Sequence, residues 1–253
     1  MRKTFVILAL AGAVAGCDNL PTDTPDTSPN LHRDGVESKE DAAPSSDVRT
    51  YRVTIANLTG GQPFSPGVVV THGPRFRLLR PRRPVEIGLR LIAENGDPST
   101  AAMHLAGARG VGTVETTPRP VGCDGCPGPF GPALTLTVTA GRGVKYLSMA
   151  LMLICTNDGL AGLDRVRLPR RGAVTYYARA YDTGTEANLE TWDTLVDPCG
   201  GIGPVAGPQD GTNVRVATRG VLHRHEGIRG VGDLTKVHAW KGPVARVTIE
   251  RMP

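Results

Sequence analysis

Three well-separated segments alternate apolar and polar side chains residue by residue, and this two-residue period constrains the fold more than any other feature of the chain. Tyr51, Val53 and Ile55 alternate with Arg52, Thr54 and Ala56. Leu134, Leu136 and Val138 alternate with Thr135, Thr137 and Thr139, and Ala245, Val247 and Ile249 with Arg246, Thr248 and Glu250. Each is the pattern of a strand with one face in a core and one in water. Residues 146–155 are apolar on both parities (Leu147, Met149, Leu151 and Leu153 against Ala150, Met152 and Ile154), as a central strand covered on both faces requires. Runs at 68–71, 174–181 and 214–218 extend the set to at least six strands. The chain holds 32 Gly and 21 Pro, which interrupt helices and separate short strands by turns. An all-β, antiparallel β-sandwich is the expected fold. Val85, Leu89 and Ile92 fall at helical spacing and residues 101–108 suit a second short helix, so one or two short helices are expected in the connections.

The amino terminus bears on compartment. Arg2 and Lys3 precede an apolar stretch over residues 4–14 that is too short to span a bilayer, the layout of a secretion signal. Val14-Ala15-Gly16-Cys17 resembles the lipobox of bacterial lipoproteins, which implies a diacylglyceryl group on the Cys17 thiol, cleavage after Gly16, and anchoring of the exported chain to the cell envelope. Residues 17–50 hold eight acids against three bases, with Pro21, Pro25, Pro29 and Pro44 and few large apolar side chains. Such a segment cannot offset its ordering entropy and reads as an extended tether. Residues 51–253 carry 24 bases against 16 acids, show no internal repeat and read as one domain.

Setting Cys17 aside leaves four cysteines, an even number in a chain expected to reach an oxidising space, so two disulfides with three possible pairings are expected. Cys123 and Cys126 sit in a turn-rich Gly-Cys-Asp-Gly-Cys-Pro-Gly-Pro run suited to a small local ring, which would leave Cys155 to join Cys199. A redox role for the Cys-x-x-Cys pair is disfavoured by the Pro-Gly-Pro that follows, where a helix would be needed to lower a thiol pKa. A zinc site would need two more ligands, for which His223 and His225 are the crowded candidates.

Two motifs follow in order: Thr156-Asn157-Asp158-Gly159 off the central strand, then Tyr181-Asp182-Thr183-Gly184-Thr185-Glu186. With Phe64-Ser65-Pro66, His72, Ala93-Glu94-Asn95-Gly96, His225-Glu226-Gly227-Ile228 and the closing run from Pro243 to Ile249, they resemble the spondin amino-terminal domain, over roughly residues 51–252. That resemblance implies a C2-like β-sandwich with a calcium site at one end, and a role in extracellular adhesion. It also implies a third carboxylate on the strand before the central one, where this chain has Thr139, so calcium binding is expected to be weak, in the millimolar class of extracellular modules. Independently of the resemblance, Asp158 and Asp182 each sit at a strand end beside a glycine. They could face one ion if those strands end together, or serve only as turn-forming residues. Glu186 and Glu94 stand in reserve.

Arg75, Arg77, Arg80, Arg82 and Arg83 form the strongest basic cluster, suited to anionic headgroups or acidic polysaccharide, or simply to a solvated loop. Nucleic acid is not expected, because the 11 aromatic residues form no stacking series. The Gly-x-Ser-x-Gly, His-Glu-x-x-His and phosphate-loop signatures are absent, so no enzyme is expected. The expected function is that of a lipid-anchored adhesion module binding an extracellular or envelope protein or glycan. The alternative is a secreted hydrolase that uses a metal or a carboxylate pair.

Overall fold

The computed structural model describes residues 47–253; the expected signal segment, Cys17 and the tether up to residue 46 lie outside the described residues. The alternating segments become strands where expected. They are β1 (Arg49–Asn57), β4 (Ala133–Ala140) and β9 (Ala245–Arg251), with the doubly apolar run as β5 (Tyr146–Leu153). The run at 68–71 lies within β2 (Phe64–His72), and the run at 174–181 within β7 (Ala173–Asp182). α1 (Ile87–Asn95) and α2 (Ser99–Leu105) occupy the helical segments, and a five-residue α3 (Pro198–Ile202) follows β7. The 214–218 run forms no strand and contributes only an isolated bridge between Ala217 and Glu186. Its Val214 and Val216 face solvent, so alternation there marks an exposed loop lying along a neighbouring turn.

Three strands lack the alternating signal. β3 (Val111–Thr116) lies on the sheet edge, β8 (His223–Arg224) is two residues long, and β6 (Gly159–Arg167) begins within the Gly-rich motif that reads as a turn. Gly162 in β6 has a close-packing reason: a Cβ there would stand 2.5 Å from Leu79 Cδ1 and 2.7 Å from the Tyr181 ring.

All strand pairings are antiparallel, in the order β3-β2-β5-β6-β7-β9-β1-β4, with β8 alongside β7. β7 turns the corner: Ala173–Ala178 pairs with β9, and Arg179–Asp182 pairs with β6. The outer strands approach one another where the Thr71 and Thr113 hydroxyls donate to the Thr139 carbonyl at 2.7 and 2.9 Å, so the layers nearly close. The principal core lies between them and includes Tyr51, Val53 and Ile55 of β1, Leu147, Met149, Leu151 and Leu153 of β5, and Val247 and Ile249 of β9. The other face of β5 is covered too, with Ala150 packed against a second cluster that includes Leu89, Ile92 and Ala101 from α1 and α2.

The cysteines pair as Cys123–Cys126 and Cys155–Cys199. The second bond ties the end of β5 to α3 across 44 residues and is enclosed by Ile154, Leu195 and Leu234. Closing a loop of that length stabilises the fold by about 4 kcal/mol in the chain-entropy account.

Candidate functional site

The turn that carries Asp158 is built by its own side chains. Thr156 Oγ1 donates to the Leu153 carbonyl at 2.7 Å and accepts from the Gly159 amide at 2.9 Å, which closes the chain tightly between β5 and β6. Asn157 extends the hold to a distant loop, donating through Nδ2 to the Thr194 carbonyl at 2.9 Å. In the β6–β7 register Gly159 stands opposite Asp182, and the Thr183 amide donates to the Asp158 carbonyl at 3.2 Å. The two acids named from the sequence therefore sit on adjacent turns at one end of the sandwich.

The Asp158 carboxylate is fully buried and used unevenly. Its Oδ2 accepts from the Thr185 amide at 2.6 Å, the Glu186 amide at 3.1 Å and the hydroxyls of Thr183 and Thr185 at 2.9 and 3.2 Å. Its Oδ1 is buried with no hydrogen-bond partner among the described residues. Burial, and after it the charge of Asp182, push the Asp158 carboxyl above its ordinary value. Asp182 is also buried: Oδ1 accepts from the Gly184 amide at 2.7 Å and Oδ2 from Asn188 Nδ2 at 2.6 Å, with His223 Nδ1 3.7 Å from Oδ1. Gly184 itself is required, since its φ is +70° and a Cβ there would stand 2.6 Å from the Val221 amide nitrogen.

Beside this pair lies a second acidic group, Glu94 and Glu186, bridged by Arg215. Arg215 contacts Glu94, Asn95 and Glu186, the last at 3.1 Å, and Arg90 Nε donates to Glu94 at 2.7 Å. Burial, then the Glu94 charge, push the Glu186 carboxyl up to about 7. Glu94 and Glu186, the two acids held in reserve, thus meet through Arg215, a residue with no motif around it and 121 positions from Glu94. Arg215 was not legible as a site residue, and neither was Asn188. A cleft of about 320 Å³ opens here, lined by Asp182, Glu186, Asn188 and His223 among others.

Thr139 is not part of this end. It pairs with Thr50 in β1, whereas the strand ends near the acids are marked by Asn57 and its partner Ala245 in β9, next to which β7 runs on to Asp182. The position aligned with a third carboxylate lies at the far pole, so its Thr does not bear on the acidic pair. The zinc alternative also fails on geometry. Among the described residues the three metal-ligating side chains that converge are Cys155, Cys199 and His238, and those sulfurs are joined to each other. His223 lies opposite Asp182 in the β7–β8 pairing instead.

The side-chain donors that meet here are two carboxylates, oxygens of the kind that hard cations take. Asp158 and Asp182 have no Lys or Arg within ion-pair distance among the described residues, and the orphaned Oδ1 is a buried acceptor with no protein donor. A proton on Asp158 would relieve the same deficit. No family model matches the chain, and the search of curated proteins finds no match.

Proposed function

We propose that the chain is an exported, lipid-anchored binding module of spondin type, whose contact surface is the loop end around Asp158 and Asp182 and whose loops a calcium ion draws together. The observation that carries this reading is the unpartnered, buried Asp158 Oδ1 beside the second carboxylate of Asp182. Asp158 and Asp182 would hold the ion, with the coordination completed by water, and the ion would neutralise the charge that makes this end costly. The partner is an envelope or extracellular protein or glycan. Two disulfides suit a protein that works in an oxidising space. Calorimetric titration of calcium into the full chain tests the ion: binding that Asp158→Asn or Asp182→Asn removes is expected. No heat, with no calcium-dependent rise in melting temperature, overturns it. A glycan and matrix-protein array probed with and without chelator tests the adhesive role.

A hydrolytic reading draws on a different observation, the Glu186 carboxyl raised to about 7 beside a cleft of about 320 Å³. It requires turnover of a model ester or glycoside that Glu186→Gln abolishes. Inactivity of both proteins on such substrates leaves the binding reading in place.

A further inference from the structure

A second hollow shares no lining residue with the acidic cleft. It is about 1050 Å³, at the top of the roughly 300–1,000 Å³ that small-molecule sites occupy, and lies between the arginine loop and the two helices. Its apolar wall comes from Phe76, Leu78, Leu89 and Leu105. Arg80 and Arg83 line it as well, against one acid, Glu86. Among the described residues neither of these guanidiniums has a carboxylate within ion-pair distance or a hydrogen-bond acceptor. By contrast Arg77 is committed, its Nε donating to Asp164 at 2.6 Å.

The loop carrying these arginines is held in place from both sides. Asp164 Oδ1 accepts from the Leu78 and Leu79 amides at 3.0 and 3.2 Å and from the Ser148 hydroxyl at 3.1 Å, and Ser148 in turn meets the buried His72 ring at 2.8 Å. Further on, the Arg83 amide donates to the Arg80 carbonyl at 3.2 Å in a tight turn, while Leu222 pairs with Arg82 and Arg83 through its carbonyl and amide at 2.8 and 2.9 Å. Two uncommitted guanidiniums are therefore presented by one fixed turn over an apolar wall. A loop whose arginines served only solubility would need neither the anchoring nor the hollow.

We propose that this hollow binds a long-chain fatty-acid anion, with its carboxylate between Arg80 and Arg83 and its hydrocarbon against Phe76, Leu78, Leu89 and Leu105. A guanidinium fork matches a planar carboxylate, and the wall supplies the burial that a small free anion could not use. The site is separate from the acidic loop end and does not depend on a metal there.

The test is equilibrium binding of hexadecanoate to the full chain at pH 8, below its micellar concentration, by displacement of a fluorescent polyene fatty acid. Methyl hexadecanoate keeps the chain and removes the charge; acetate keeps the charge and removes the chain. Hexadecanoate should bind at least about tenfold more tightly than the ester, because two charge-assisted contacts are at stake, and acetate should not compete. The Arg80→Gln/Arg83→Gln double variant should lower hexadecanoate affinity to that of the ester and leave ester binding unchanged. Leu105→Ala, at a half-buried helix end packed against the second cluster, should weaken both, and the double arginine variant, whose two side chains make no hydrogen bond or ion pair among the described residues, keeps the test independent of fold stability. Equal affinity for acid and ester, no binding of monomeric hexadecanoate, or binding seen only with phosphatidylglycerol vesicles would each overturn the proposal.

Discussion

The buried carboxylate of Asp158 accepts a 2.6 Å hydrogen bond from the backbone amide of Thr185, 27 residues further along the chain. The bond joins the β5–β6 turn to the turn after β7, and the Glu186 amide reinforces it. Together these contacts saturate one carboxylate oxygen, while the other has no partner among the described residues, so the structural load falls on one atom and the second is left for the proposed ion.

That division makes two substitutions at Asp158 behave differently. Asp158→Ala strips acceptors from two backbone amides and should cost about 2–4 kcal/mol, from the roughly 1–3 kcal/mol per buried unsatisfied group. Asp158→Asn keeps one oxygen for those amides and removes a buried charge, so it should cost far less in metal-free buffer. Urea unfolding of both variants in chelator checks the difference.

The acidic end should make stability depend on pH. The folded Glu186 carboxyl titrates near 7 against an ordinary 4.5, so the fold holds its proton more tightly than the unfolded chain does. Its contribution is therefore fully present below about 4.5 and is lost as pH rises through about 7. Asp158, shifted in the same direction, adds to the trend. Urea midpoints without calcium should fall across this window by the equivalent of roughly 3 kcal/mol at most. Glu186→Gln should flatten much of the fall, and a midpoint that rises with pH would contradict the assignment.

The two disulfides should differ in weight. Removing Cys155–Cys199 with a double Ala substitution should cost about 4 kcal/mol, and removing the three-residue Cys123–Cys126 ring about half as much. Cys155 directly precedes Thr156, so the first variant should also weaken calcium binding where the second does not. Denaturation midpoints and calcium titration of both variants measure this.

Asp164→Ala should release the arginine loop. It removes the acceptor for Leu78 N, Leu79 N, Ser148 Oγ and Arg77 Nε together. The expected loss is about 2–4 kcal/mol, from buried donors left unpaired. Limited trypsin digestion should then cut within residues 75–83 much faster than in the parent chain.

The strands that alternate were readable because a two-residue period assigns each side chain to a face without reference to the rest of the fold, and the inward positions Val53, Leu134 and Ile249 are buried as that period requires. The cysteine pairs were readable by elimination, since a three-residue spacing favoured one local ring. β6 was hidden because its first residue, Gly159, closes the Thr156 turn while Gly162 is needed for close packing against Leu79 and Tyr181, and a glycine chosen for packing looks the same in sequence as a turn glycine.

Taken alone, the chain determined which segments are strands, that its cysteines make an even set, and that Asp158 and Asp182 stand at strand ends. Tertiary structure alone decided that those ends coincide, that Thr139 lies at the opposite pole, that Arg215 reaches Glu94 and Glu186, and that Arg77, Arg80 and Arg83 border a hollow. The reason is that local periodicity records which face a residue takes, whereas strand order and register decide which distant residues share an end. Those are set by the summed burial of the whole sandwich, to which no short motif is sensitive.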